Sequence, residues 1–202
     1  MAQRDFSNES IINLVLRTIR ALRSRLRGRL LTYLQVFAPG SSKCFTIGIW
    51  PKIINSKAIF IRHNVSFGDL CRIECYSNDA YPVGNSAKIT IGENSSFGDL
   101  THIGAINHIS IGKNLLCASK VLIIDHDHGM CSTADIRSLT KVHPRSRDLT
   151  SKGPIQIGDN VWIGEAAVIL AGSNIGDGAV ISANSIVRGH VPASTVYRSR
   201  DQ

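Results

Sequence analysis

The sequence predicts an all-β chain wound as a parallel β-helix of hexapeptide repeats, preceded by an amphipathic α-helix and interrupted by an extruded loop. Three observations carry this expectation: an aliphatic residue that recurs every six positions, a basic helical pattern confined to the N-terminus, and one long polar break in the repeat. With 202 residues the chain can bury a sizeable core. At 43% apolar and only 6% aromatic residues, that core is aliphatic.

The helix comes first. Residues 10–37, SIINLVLRTIRALRSRLRGRLLTYLQVF, place Ile12, Leu16, Ile19, Leu22, Leu26, Leu30 and Leu34 on one stripe. Ser10 is the N-cap candidate and Pro39-Gly40 ends the segment, so 1–44 reads as a basic amphipathic helix and linker. Seven arginines in residues 1–40, against Asp5 and Glu9, carry +5 of the net +8. The charge therefore belongs to the arm and not to the body. Two roles fit it: a cap across the open end of a solenoid, or peripheral attachment to an anionic membrane surface. Aromatic interleaving and a recognised binding motif are missing, which argues against nucleic acid. No apolar run approaches the ~20 residues of a membrane span, and Arg17, Arg20 and Arg23 interrupt any signal-peptide core. Five scattered cysteines (Cys44, Cys71, Cys75, Cys117, Cys131) lack a paired metal-binding spacing and read as reduced thiols of a cytoplasmic protein.

The repeat defines the body, 45–192, leaving 193–202 as a C-terminal tail. Ile157, Ile163, Ile169, Ile175, Ile181 and Val187 recur at intervals of six, and two places before each lies a smaller row: Ile155, Val161, Ala167, Ser173, Ala179 and Ser185. A period of six fits neither an amphipathic helix nor a two-faced sheet. It fits a coil with three flat sides and turns of about 18 residues. Upstream, 59–74 and 89–104 align at an offset of 30 through a shared Ser-Phe-Gly-Asp-Leu block. Ile111, Cys117 and Ile123 follow with a phase slip of two after Ile103, as a bulge or small corner insertion would produce.

Periodicity stops at Asp125 and resumes at Ile155, so 125–154 reads as an extruded loop. It begins in VLIIDHDHGM and holds Asp135, Arg137, Lys141, His143, Arg145, Arg147 and Asp148. Its two leading histidines, His126 and His128, are candidates for a general base, since imidazole titrates near neutrality. Asp125 and Asp127 either orient that imidazole or cap the turn. Trp162 lies between two inward positions, Val161 and Ile163, so it faces outward.

These hexads resemble the left-handed β-helix acyltransferases over about 45–192, most nearly the O-acetyltransferases of galactoside and maltose type. The resemblance implies a homotrimer with active sites between subunits, and acetyl-CoA as acyl donor. It implies transfer to a sugar hydroxyl of a surface glycan or its precursor. The family base is a histidine placed where an extruded loop leaves a rung, often reading aliphatic-x-x-x-x-His. Counting from Ile123 puts His128 at the fifth position and His126 at the third, so His128 is preferred and His126 is second. The resemblance carries Gly164, Glu165, Ala183 and Arg188 over as acetyl-CoA contacts and Trp162 as lining the cleft for the acceptor or the pantetheine arm, packing against a neighbouring subunit being the alternative for Trp162. Asp125, Asp127, Arg145 and Arg147 are the candidate acceptor contacts of the loop. The chain departs from the family at Glu165, where a small polar residue is usual, and lacks its C-terminal Ala-Gly-x-Pro-Ala stretch. It also lacks the sugar-contacting asparagine pair, so a simple galactoside or maltose is not the expected acceptor. N-acetylation of an amino sugar is an alternative on the same fold. A zinc enzyme of carbonic-anhydrase type, using His102, His126 and His128, is another, although the ligand spacing of that family is absent and no metal is expected.

Overall fold

An inward residue at every sixth position allows strands of only two to four residues before the chain must turn. The computed structural model, which describes residues 6–33, 37–82, 88–129 and 141–199, shows that outcome. Short parallel strands stack into three sheets of seven, six and six. Face A runs from Phe45–Ile47 to Val196–Tyr197, face B from Lys52–Ile54 to Ile186–Val187, and face C from Ile59–Ile61 to His190–Val191. The coil is a left-handed parallel β-helix. Both aliphatic rows point to its axis: Ile163, Ile169, Ile181 and Val187 are fully buried, as are Ala167 and Ala179 of the smaller row. Phe67 and Phe97, aligned by the shared block, stack with ring centroids 4.9 Å apart.

Equivalent corner residues of successive turns are separated by 20, 30, 20, 46 and 18 positions. Only the last spacing is a bare turn. Every surplus residue falls on one edge, between face B and face C: the 3₁₀ turn Ser56–Ala58, residues 76–88, residues 106–108 and residues 125–154. The offset of 30 is therefore one turn carrying an insertion, and the slip of two after Ile103 is a smaller insertion at the same edge.

The other two edges are uniform. At the edge from C to A, Asn64, Asn94, Asn114 and Asn160 adopt positive φ, which asparagine tolerates better than most residues. Their side-chain amides link in series, at 2.9, 3.3 and 2.9 Å. At the edge from A to B, Gly164 has no substitute, because a Cβ there would lie 2.5 Å from the backbone nitrogen of Ala183.

The helix spans Phe6–Tyr33, so Ser10 lies inside it; no glycine or proline between Phe6 and Ser10 stops the helix from extending N-terminally. It packs on the first strand of face A through Ala21, Ser24 and Arg27. Arg27 donates to the carbonyls of Ile47 and Gly48, acceptors that an unpaired first strand leaves open. The leucine stripe faces the other way: Leu22, Leu26 and Leu30 are each more than half exposed. At the C-terminal end, Val196–Tyr197 pairs with Val180–Ile181 in parallel, so the coil continues past residue 192. Residues 200–202 of the expected tail lie outside the described residues.

Candidate functional site

The edge between faces B and C gathers the polar side chains that a β-helix cannot bury at its axis. Asp125 follows the inward Ile123 by two positions and is itself fully buried. A buried carboxylate needs donors, and the insertion at 106–108 supplies them. Ile106 N donates to Asp125 Oδ1 at 2.7 Å, and Asn107 N to Oδ2 at 3.0 Å. The same Oδ1 lies 3.3 Å from Nδ1 of His126. With the proton placed on Nδ1 to satisfy Asp125, Nε2 carries the lone pair. Nε2 has no hydrogen-bond partner among the described residues.

His126 is 8% exposed, held edge-on against the Tyr76 ring with centroids 5.3 Å apart. It lines a pocket of about 340 Å³ together with Ile124, Asp127, Lys152, Leu170, Ala171 and Arg188. His128 is placed differently. It is exposed, on the ribbon in which Asp127 and His128 pair antiparallel with Thr150 and Leu149. His143 is exposed too, and its Nδ1 accepts from Arg145 N at 3.2 Å as a helix cap.

Lys88 ties the edge together. Its side chain is almost wholly buried and donates to the carbonyls of Tyr76, Tyr81 and Ile106 at 2.7, 2.8 and 2.7 Å. Burial lowers its pKa, against the opposing pull of Cys75 and Asp125. The neighbouring insertion clamps the returning limb of the long loop, with Asn78 Nδ2 donating to Leu149 O at 2.8 Å. Beside Tyr76, the buried Glu74 carboxylate accepts from Tyr76 Oη, Arg72 and Lys52, with His102 Nε2 3.0 Å away. Despite burial, which raises it, the Glu74 pKa falls to about 2 because of the Lys52, Tyr76 and Arg72 hydrogen bonds.

The residues singled out from sequence divide into four places. His126, Asp125, Asp127 and Arg188 share the B–C edge. Trp162 stands on face A, 52% exposed, in the outward column Leu116–Trp162–Val180–Val196. Gly164, Glu165 and Ala183 form the A–B edge, where Glu165 pairs with Lys120 at 3.0 Å on the surface. Arg145 lies in the short 3₁₀ turn Pro144–Ser146, and Arg147 Nε donates to Val142 O, both in the loop limb. Asp135, Arg137 and Cys131 lie outside the described residues. No group of three metal-ligating side chains gathers among the described residues.

Sequence reading missed Glu74, Tyr76 and Lys88. The one available signal was position: Glu74 lies just before the surplus residues of the turn offset by 30, and Tyr76 and Lys88 are the first and last of them.

Comparison with known proteins follows the same lines. The family described as Bacterial transferase hexapeptide (six repeats) matches residues 154–189. "Putative lipopolysaccharide biosynthesis O-acetyl transferase WbbJ" of Escherichia coli K12 is 44% identical over 95 residues, covering 47% of this chain and 48% of that protein. Galactoside O-acetyltransferase of the same organism is 34% identical over 118 residues, 53% of this chain and 58% of that one. The chain thus spans about half the length of the curated relatives it matches. Among solved structures, a variant of AntD, an N-acyltransferase from Bacillus cereus in complex with a dTDP-amino sugar and coenzyme A, has TM-score 0.62 at 19% identity. That match covers 83% of each chain, and it shows the shared fold.

Proposed function

We propose that this chain, which carries the hexapeptide repeat of bacterial transferases over residues 154–189, is an acetyl-CoA-dependent O-acetyltransferase acting on a sugar hydroxyl. The observation that carries the reading is the Asp125–His126 pair, buried at the edge of a pocket that Lys152 and Arg188 also line. In this reading Nε2 of His126 takes the acceptor hydroxyl proton as its oxygen attacks the thioester carbonyl carbon. The tetrahedral intermediate then collapses, the carbon–sulfur bond breaks, and the imidazolium returns the proton to the departing thiolate. Asp125 accepts from Nδ1 and holds the ring in the required tautomer. Lys152 and Arg188 supply cations for the phosphates of the donor. The geometry favours His126 over His128, reversing the preference that counting from Ile123 gave.

A bacterial surface glycan or its precursor is the proposed acceptor. The O-acetyltransferase names of both curated relatives, one of them of lipopolysaccharide biosynthesis, support it. Purified protein is assayed for thiol release from acetyl-CoA with candidate glycans. If His126→Ala retains full turnover while His128→Ala abolishes it, the assignment of the base is wrong. If neither substitution lowers turnover, the edge is not the active site.

The proposed working form is a homotrimer. Face A lies opposite the B–C edge of its own coil, so Trp162 meets a pocket containing His126 only across two copies. The exposed apolar column Leu116, Trp162 and Val196 gives such copies a surface to bury. The proposed role of Gly164, Glu165 and Ala183 is to line the adjoining donor groove. The proposed role of the helix is peripheral contact with an anionic membrane, since its outward stripe of Leu22, Leu26 and Leu30 is flanked by arginines. No helix among the described residues is long and apolar enough to cross a membrane. Co-sedimentation with anionic against zwitterionic vesicles tests the contact. Equal recovery in both, or unchanged binding by Leu22→Glu with Leu26→Glu, overturns it.

A further inference from the structure

The transferase reading leaves a second polar cluster unused, on the outer surface of face B. Register places Lys52, Arg72 and His102 in one column across three adjacent strands, and Glu74 and Gly104 in the next. Glu74 is fully buried, and its two oxygens are already taken. Oε1 meets Lys52 Nζ at 2.8 Å and Arg72 Nε at 3.3 Å, while Oε2 meets Arg72 Nη2, Tyr76 Oη and His102 Nε2 at 2.9, 2.8 and 3.0 Å. A carboxylate so saturated has nothing left to offer a ligand. What remains available are the unused N–H groups of Lys52 and Arg72, whose side chains are 56% and 45% exposed. Two permanent cations stand against one buried anion, so this surface presents donors and net positive charge.

The cluster adjoins the base. A Cβ at Gly104 would lie 3.3 Å from His126 Cε1 and 3.4 Å from His102 Nε2, so the absence of a side chain there lets the two imidazoles converge. Tyr76 bridges them from the other side, its hydroxyl on Glu74 and its ring against His126. Lys152 and Arg188 line the pocket on the opposite flank of His126, where the donor is placed.

We propose that Lys52 and Arg72, held on Glu74 with His102, form an acceptor subsite for a sugar bearing an anionic group, a carboxylate or a phosphate. Glu74 fixes the guanidinium plane, so that the outward edge of Arg72 meets an oxyanion in a set geometry. The neighbouring hydroxyl of the same sugar then falls over Gly104, within reach of His126. The inference rests on the proposed acetyl transfer for its catalytic meaning, but the binding it claims is separable.

The test is direct binding to the full chain, observed by NMR, using glucuronic acid, glucose 1-phosphate and glucose. One or both acids should bind, with the two arms separating carboxylate from phosphate, and glucose should bind about tenfold more weakly or not at all. Arg72→Gln and Lys52→Gln should each remove about tenfold of the acid affinity, and Arg72→Lys should restore part of it. Lys52 is exposed, so its substitution informs even if Arg72→Gln does not fold. Equal binding of glucose and the acids, or acid affinity unchanged in both Gln variants, overturns the subsite. Coenzyme A is titrated separately: its failure to bind while the acids bind sinks the transferase reading and leaves the subsite standing.

Discussion

Asp125 carries three contacts with one small side chain, and its removal has separable consequences for stability and rate. In Asp125→Ala, Ile106 N and Asn107 N lose their acceptor, and His126 Nδ1 loses the group that orients it. Ile106 is fully buried, so its amide takes the whole cost of an orphaned donor, about 1–3 kcal/mol. Asn107 is half-buried and regains part of its bond from water, which brings the total to about 2–4 kcal/mol. Asp125→Asn keeps the shape but turns an NH₂ group toward one of three donors, and so costs about 1–3 kcal/mol. Urea unfolding reads this term for both variants.

The rate term is read on protein that remains folded. Without a carboxylate at Nδ1 the imidazole rotates and samples the other tautomer, and general-base catalysis, worth about 10²–10⁴-fold, is largely lost. Thiol release from acetyl-CoA at saturating donor should therefore fall about 10²-fold or more in Asp125→Asn, with the KM for acetyl-CoA little changed. A folded Asp125→Asn that keeps turnover within about twofold of the parent refutes the orienting role. An Asp125→Ala protein as stable as the parent refutes the accounting of the buried amides.

Three other outcomes follow from the same structure. Trp162→Glu puts a charge in the apolar column of face A, and should convert the proposed trimer to monomer in light scattering; an unchanged mass removes face A from the interface. Acid should destabilise the chain in two steps. The His102 pKa is lowered by burial, then by Arg72, so stability present above the usual histidine value near 6.5 declines as pH falls through it. The Glu74 pKa is lowered from 4.5 to about 2, so its contribution is present above pH 4.5 and lost as pH falls toward 2. Glu74→Gln should flatten the second step, and an unchanged pH profile of urea midpoints would count against it. Burial raises the thiols of Cys71 to about 11 and of Cys75 and Cys117 to about 12. Peptide mapping after maleimide treatment at neutral pH should therefore find the exposed Cys44 modified and those three spared until urea is added.

The coil was legible because its physics is repetitive. Each inward position faces the same triangular interior, so Ile163 and Ile181 meet identical demands and the sequence shows them at a fixed period. The site is not repetitive, and its legibility is uneven. Asp125, Asp127, His126 and His128 all stood out at the point where the period breaks, and the count along the chain preferred His128. The proposed preference for His126 over His128 rests on an antiparallel ribbon that begins at Asp127 and leaves His128 exposed, which the sequence does not announce. Glu74, Tyr76 and Lys88 are contributed by a different turn from His126, and no local pattern in a single sequence reports a contact between turns. Trp162 was readable as outward, but the meaning of outward depends on which of three faces it occupies.

The distribution of insertions explains why the polar groups collect on one edge. A turn of 18 residues satisfies its backbone by stacking on the turns above and below, and its interior admits aliphatic side chains. It has no place for a buried carboxylate. Extra residues are tolerated where they leave the coil without shifting the strands on either side, and once one turn bulges outward, its neighbour can bulge beneath it and share cover. Residues 76–82, 106–108, 125–129 and 141–154 do this in three successive turns. The carbonyls and amides released from strand pairing become the partners of Lys88 and Asp125. A buried ion and an oriented imidazole are thus built from backbone groups that the insertions themselves set free, whereas the amides that the uniform edges give to carboxylates, such as Ile49 N to Asp69 and Lys113 N to Asp159, lie at the surface.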